Sequence, residues 1–232
     1  MLKLMRLEIK KFKINGNIKG VIIANLIILG FLLIIVYGSN GDMVIPFSNY
    51  NDAFLFTGSM ARATFSIFSA VLISRIIIGE YKNKTINIMF IYPINRKKIM
   101  LAKFAIIVIF AFTTMVLSSL FLDFSLFILN IFTNSIGGPL TQDILVKSLI
   151  NIVVYSVAFA FVSLIPVYVG MRKKSGSATI VTSMILVSLL NSGSDGNNLA
   201  SILIILIVLA IVGAVAAYLS IKDVEKVDVV NF

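Results

Sequence analysis

The chain has 232 residues, 59% hydrophobic and only 13% charged, with a mean hydropathy of +1.05 and a net charge of +10. A soluble domain carries about 25% charged residues, so the composition excludes an ordinary soluble fold and predicts a membrane protein. Cys and His are both absent, which excludes disulfides, zinc and haem ligation and Cys- or His-based catalysis by this chain.

At about 20 apolar residues per crossing, the length holds six helices with short loops and leaves no room for a large soluble catalytic domain. Residues 1–17 read as an amphipathic interfacial helix. Leu2, Met5, Ile9 and Phe12 form an apolar stripe, and Lys3, Arg6, Lys10 and Lys13 repeat that spacing one residue later. Such a helix lies in the headgroup plane. The expected spans are 18–37, 54–79, 99–122 with a prolongation toward Phe132, 144–170 with Pro166 near its end, 177–190 and 199–221. The fifth, at about fourteen residues, is short for a crossing. Residues 222–232 form a short charged tail.

Charge orients this ladder. Seventeen of the 20 Lys and Arg fall at 3–19 (six), 82–103 (six), 172–174 (three) and 222–226 (two). The other loops carry Asp42, Asp52, Asp143 and Asp195. The positive-inside rule then puts both termini, the 80–98 loop and the 172–176 turn in the cytoplasm. The same rule accounts for the net charge through topology and anionic lipid, with no need for nucleic acid.

Several polar residues inside the spans stand out. Arg62 lies about 12 Å inside the outer end of the second span at 1.5 Å per residue. An arginine at that depth is costly and faces a bundle interior or water; the alternative is snorkelling to the outer headgroups. A translocation-path role for Arg62, or a pairing with Asp52 or Asp123, is the functional reading. Arg75 reads as an interface anchor. Ser118, Ser119, Asp123, Ser125, Asn151 and Ser156 read as polar contacts that join helices. No phosphate-binding loop or dinucleotide fingerprint is present.

The segment Glu80-Tyr81-Lys82-Asn83-Lys84-Thr85-Ile86-Asn87-Ile88-Met89-Phe90-Ile91-Tyr92-Pro93 mixes charge with aromatics and ends at a proline. Its apolar residues suit a helix that lies on lipid or docks in a partner's groove. Glu80-Tyr81, Thr85, Tyr92-Pro93-x-x-Arg96 and the Lys103 that opens the next span resemble the permease subunits of ABC-2-type transporters. Those include bacitracin- and lantibiotic-resistance permeases and exporters of phenol-soluble modulins.

The resemblance covers the whole chain. It implies an all-α polytopic fold: an N-terminal elbow helix (1–17), a six-helix transmembrane domain (18–221) and a cytoplasmic coupling helix at about 80–92. By position, Glu80, Tyr81, Lys82, Lys84, Thr85, Tyr92, Pro93 and Arg96 would contact a separate ATPase subunit. It further implies a bacterial plasma-membrane exporter built from two permease copies, as a homodimer, and two ATPase subunits. ATP and Mg would be bound by the partner, with no cofactor and no catalysis in this chain. The substrate would be a hydrophobic or amphipathic peptide, with Arg62 and Asp123 as candidate pathway residues. Many members of that family carry re-entrant outer helices between the fifth and sixth spans; here the connection is only about Asn191–Asn198. The other readings are a membrane scaffold or sensor, or a secondary transporter without an ATPase.

Overall fold

A computed structural model describes residues 2–12, 15–39, 47–82, 96–133, 136–192 and 202–226. Helix α1 is Leu2–Lys11, α2 Asn15–Ser39 and α3 Tyr50–Ile73. A π turn, Ser74–Ile78, follows and leads into the short α4, Gly79–Lys82. Then come α5, Arg96–Thr133; α6, Gln142–Val162; α7, Ile165–Lys173; α8, Gly176–Asn191; and α9, Leu203–Lys226. No strand occurs among the described residues, only an isolated bridge between Phe47 and Ile136. The molecule is an all-α polytopic membrane protein.

Among the described residues, five stretches are long and apolar enough to cross a bilayer: Gly16–Gly38, Tyr50–Ile78, Lys97–Thr133, Gln142–Lys173 and Leu203–Lys222. Helix α8 is the sixth apolar helix. Its 16 residues span about 24 Å at 1.5 Å per residue, against a hydrocarbon core about 30 Å thick. Ser175 caps its start by accepting a hydrogen bond from the Ala178 N–H.

Two of the expected spans depart from the sequence reading, and the third span takes its expected prolongation. Helix α3 begins four residues early, so Arg62 lies about 18 Å from its start. Helix α5 runs 38 residues without a break, which puts Asp123 inside it. The fourth span is two helices, α6 and α7, with Ser163 and Leu164 between them. Pro166 explains the break. It lacks an N–H and its ring clashes with the carbonyl four residues back, so it is tolerated only in a first turn. It sits at that point in α7.

The chain divides into two compact units. One comprises residues 1–14, 65–112 and 157–232, the other 15–64 and 113–156. Helices α3, α5 and α6 contribute one end to each. The first unit holds a continuous apolar core that includes Ile73, Ile76, Ile77, Met100, Phe104, Ile107, Leu164, Val167 and Ile221. Met5 and Phe12 pack against it. Close helix contacts are made at small residues. A Cβ on Gly213 would sit 2.1 Å from the Phe161 carbonyl oxygen.

In the second unit, Leu32 and Val36 of α2, Ala53 and Ala61 of α3, and Leu122 and Leu126 of α5 are buried. Its loops are pinned together. The Gly137 N–H donates to the Phe47 carbonyl at 3.1 Å. A Cβ on Gly137 would lie 2.7 Å from the Ser48 carbonyl oxygen, and Gly138 has φ +87°, so glycine is required at both positions. Asn130 donates to the Tyr50 hydroxyl at 2.6 Å and accepts from the Ile136 N–H at 2.8 Å.

Candidate functional site

The most concentrated chemistry lies in the first unit, around Lys103. This residue is about two turns into α5 and is 1% exposed. Its ammonium donates to Glu80 Oε2 and, at 3.2 Å, to the Ile76 carbonyl. Glu8 Oε2 lies 3.4 Å away, an ion pair without a hydrogen bond. The Phe12 ring centroid is 5.1 Å from the same nitrogen, within cation–π range.

The other oxygen of Glu80 accepts from Lys11 at 2.6 Å. The two carboxylates and the Lys103 ammonium are buried, and the more exposed Lys11 balances the charge from the edge, which is the condition for burying them. The four come from three helices: Glu8 and Lys11 from α1, Glu80 from α4 and Lys103 from α5.

Local structure explains how they meet. Met5, Glu8 and Phe12 follow each other at spacings of three and four, so they share one face of α1. That face is the inward one: Met5 and Phe12 pack on the core and Glu8 is 7% exposed. The apolar stripe expected from sequence included Ile9, which is instead 39% exposed. A carboxylate takes the inward place because Lys103 is there to meet it. On α3, the π turn shifts the backbone from i+4 to i+5 bonding, with the Gly79 N–H donating to the Ser74 carbonyl. Such turns interrupt the regular ladder of carbonyl bonds, and Ile76, within this one, offers its carbonyl to Lys103.

A second constellation lies in the other unit. Arg62 is 8% exposed, with its guanidinium carbon 4.7 Å from the Tyr155 ring centroid. Gly58, one turn earlier, leaves space for it: a Cβ there would lie 2.9 Å from Arg62 Nη1. Asp123 accepts from the hydroxyls of Thr57 at 2.6 Å and Ser148 at 3.2 Å. Arg62 and Asp123 belong to the same compact unit. The guanidinium is packed among protein groups, which differs from a side chain stretched out to headgroups.

Of the eight residues placed by resemblance at an ATPase contact, Glu80 is buried and ion-paired. Tyr81 and Lys82 end α4, and Arg96 begins α5. Lys84, Thr85, Tyr92 and Pro93 lie outside the described residues, as does most of the 80–92 coupling segment. Arg75 is exposed on the π turn. Ser118 accepts from Asn25 at 2.8 Å, a helix-joining contact of the kind expected, whereas Ser125 bonds back to its own helix at Phe121.

The sequence reading did not find Glu8 and Lys11 as partners of the 80–103 region, nor Thr57, Ser148 and Tyr155 around Arg62 and Asp123. The Met5-Glu8-Phe12 spacing was a usable signal for Glu8. The others are long-range pairings with no local signature.

Comparison with known proteins decides the family. The model of the ABC-2 family transporter proteins matches residues 4–191. The chain belongs to the ABC-2 transporter family. A relative, the uncharacterized protein YcbO of Bacillus subtilis (strain 168), is 39% identical over 227 residues, covering 98% of this chain and all of the relative. No solved structure matches. As an ABC-2 permease the chain has a membrane transport role, in a family whose permeases generally work with an ABC ATPase partner.

Proposed function

We propose that the chain is the membrane subunit of an ATP-driven exporter in the bacterial plasma membrane, working with a separate ATPase. The observation that carries this reading is Glu80, a buried carboxylate gripped by Lys103 and Lys11. It roots the aromatic and basic segment that runs to Lys98. A segment meant only to lie on lipid needs no such root, whereas one that receives force from a partner does. The basic residues at 82–103 put it on the cytoplasmic side, where an ATPase operates, and both termini share that side.

In this reading the ATPase binds ATP and Mg, and this chain carries no catalytic group. Tyr81, Lys82, Lys84, Thr85, Tyr92, Pro93 and Arg96 meet the ATPase. Two permease copies form a homodimer with two ATPase subunits, because six helices alone do not enclose a two-sided path. Buried Arg62 and half-buried Asp123 are charged groups available to line that path. The substrate is a hydrophobic or amphipathic peptide, a class suggested by the resistance and toxin-peptide permeases that the sequence resembles.

The test is purification of the tagged full-length chain from its native membrane. A P-loop ATPase at roughly one copy per permease supports the reading, and its loss in Tyr92→Ala/Arg96→Ala maps the contact. Recovery of the folded permease without any ATPase would favour a scaffold or sensor instead.

A further inference from the structure

The mechanism above needs only the 80–98 segment, yet the buried ion cluster reaches beyond it to α1. Glu80 alone could have been neutralised by Lys103. Instead Glu8 is also buried against Lys103, and Lys11 of α1 takes the second oxygen of Glu80. Phe12 closes the same cluster from α1, within 5.3 Å of Lys11 and 5.1 Å of Lys103. Three groups of α1 therefore converge on the two residues that flank the docking segment.

An inward glutamate is an expensive choice on a helix whose neighbours Met5 and Phe12 pack on an apolar core. An apolar residue at position 8 would seat α1 equally well. What it would not do is fix α1 to Lys103, and through it to Glu80. The outward face of α1 presents Arg6, Leu7, Ile9 and Lys10 to the surroundings, the mix that suits a headgroup plane.

We propose that Lys103 is a positioning residue that locks α1 to the root of the ATPase-docking segment through Glu8 and Glu80, making α1 a brace that sets how that segment answers the ATPase. This rests on the ATPase reading of the 80–98 segment. The bond to Ile76 at the π turn includes α3 in the same lock. Displacement of Glu80 is then shared by α1, α3 and α5 and is not absorbed by a loose loop.

Hydrogen exchange on the full-length chain in lipid nanodiscs tests the lock without any partner. Glu8→Gln keeps the shape of the side chain and removes its charge. It should speed exchange of the 79–82 amides about fivefold or more and leave residues 113–130 unchanged. Lys103→Arg should remain near wild type, and Lys10→Gln, on the exposed side of α1, should change nothing at 79–82. Unchanged exchange at 79–82 in Glu8→Gln overturns the proposal. So does a rise spread over the whole chain, which would mean general loss of stability.

The second readout uses the permease–ATPase complex. Glu8→Gln should retain the wild-type amount of bound ATPase while permease-dependent ATP hydrolysis falls about threefold or more, with Lys103→Arg retaining most of the rate. Equal hydrolysis in Glu8→Gln and wild type overturns the brace. If wild type binds no ATPase, the function proposed above fails, and the exchange experiment still decides the lock.

Discussion

Lys103 occupies a position where a leucine would be easier to bury. Its full burial is tolerable because two carboxylates and a backbone carbonyl receive it. Removing one member of a buried ion cluster leaves the others uncompensated, at a cost of about 3–5 kcal/mol. Lys103→Met should therefore destabilise the purified chain by that order, seen as a large drop in thermal midpoint, while Lys103→Arg retains most of the stability. Lys11, more exposed at 43% of its side chain, is screened by water, so Lys11→Met should cost under about 1 kcal/mol in the same assay. At Arg62 the face of Tyr155 is the relevant partner. Tyr155→Leu removes the aromatic face and should cost about 1–2 kcal/mol in the same assay.

At the scale of elements, glycine separates contact from propensity. Gly213 faces a backbone carbonyl, which cannot rotate away as a side chain can. Gly213→Ala should thus force α9 away from Phe161 and cost about 1–3 kcal/mol. Gly30 lies in α2 with nothing within 4 Å of a built Cβ. Gly30→Ala should stabilise by about 0.5–1 kcal/mol, since glycine is a poor helix former. Paired thermal melts of the two variants, moving in opposite directions, check the contrast.

The helices themselves were largely readable from sequence, because a long apolar run has few alternatives in lipid. The limits of α2 and α8 differ from expectation by only a few residues. Pro166 signals the break at Ser163–Leu164, although the apolar run continues through it as one span. The π turn had no signal: Ser74–Ile78 is as apolar as the rest of α3, and its bonding is set by what packs on it. The lock around Lys103 was half legible. Glu80 and Lys103 stood out by resemblance, whereas Glu8 was hidden because an apolar stripe through Ile9 looked as good as one through Glu8. Which stripe faces inward depends on Lys103, about 95 residues away.

For the whole molecule, the charge pattern makes an orientation prediction that the native absence of cysteine makes simple to check. A single Asn40→Cys should react with a membrane-impermeant maleimide in intact cells, whereas Ser175→Cys should react only after the membrane is opened. The reverse pattern would invert the topology and take the docking segment away from the cytoplasm.

On the proposed function, this ABC-2 permease is driven through the segment rooted at Glu80. The most direct measurement is ATP hydrolysis by the purified permease–ATPase complex in lipid, comparing wild type with Tyr92→Ala/Arg96→Ala. Hydrolysis should depend on the permease and fall to the level of the isolated ATPase in the variant. Undiminished hydrolysis in the folded variant, with the ATPase still bound, would contradict it.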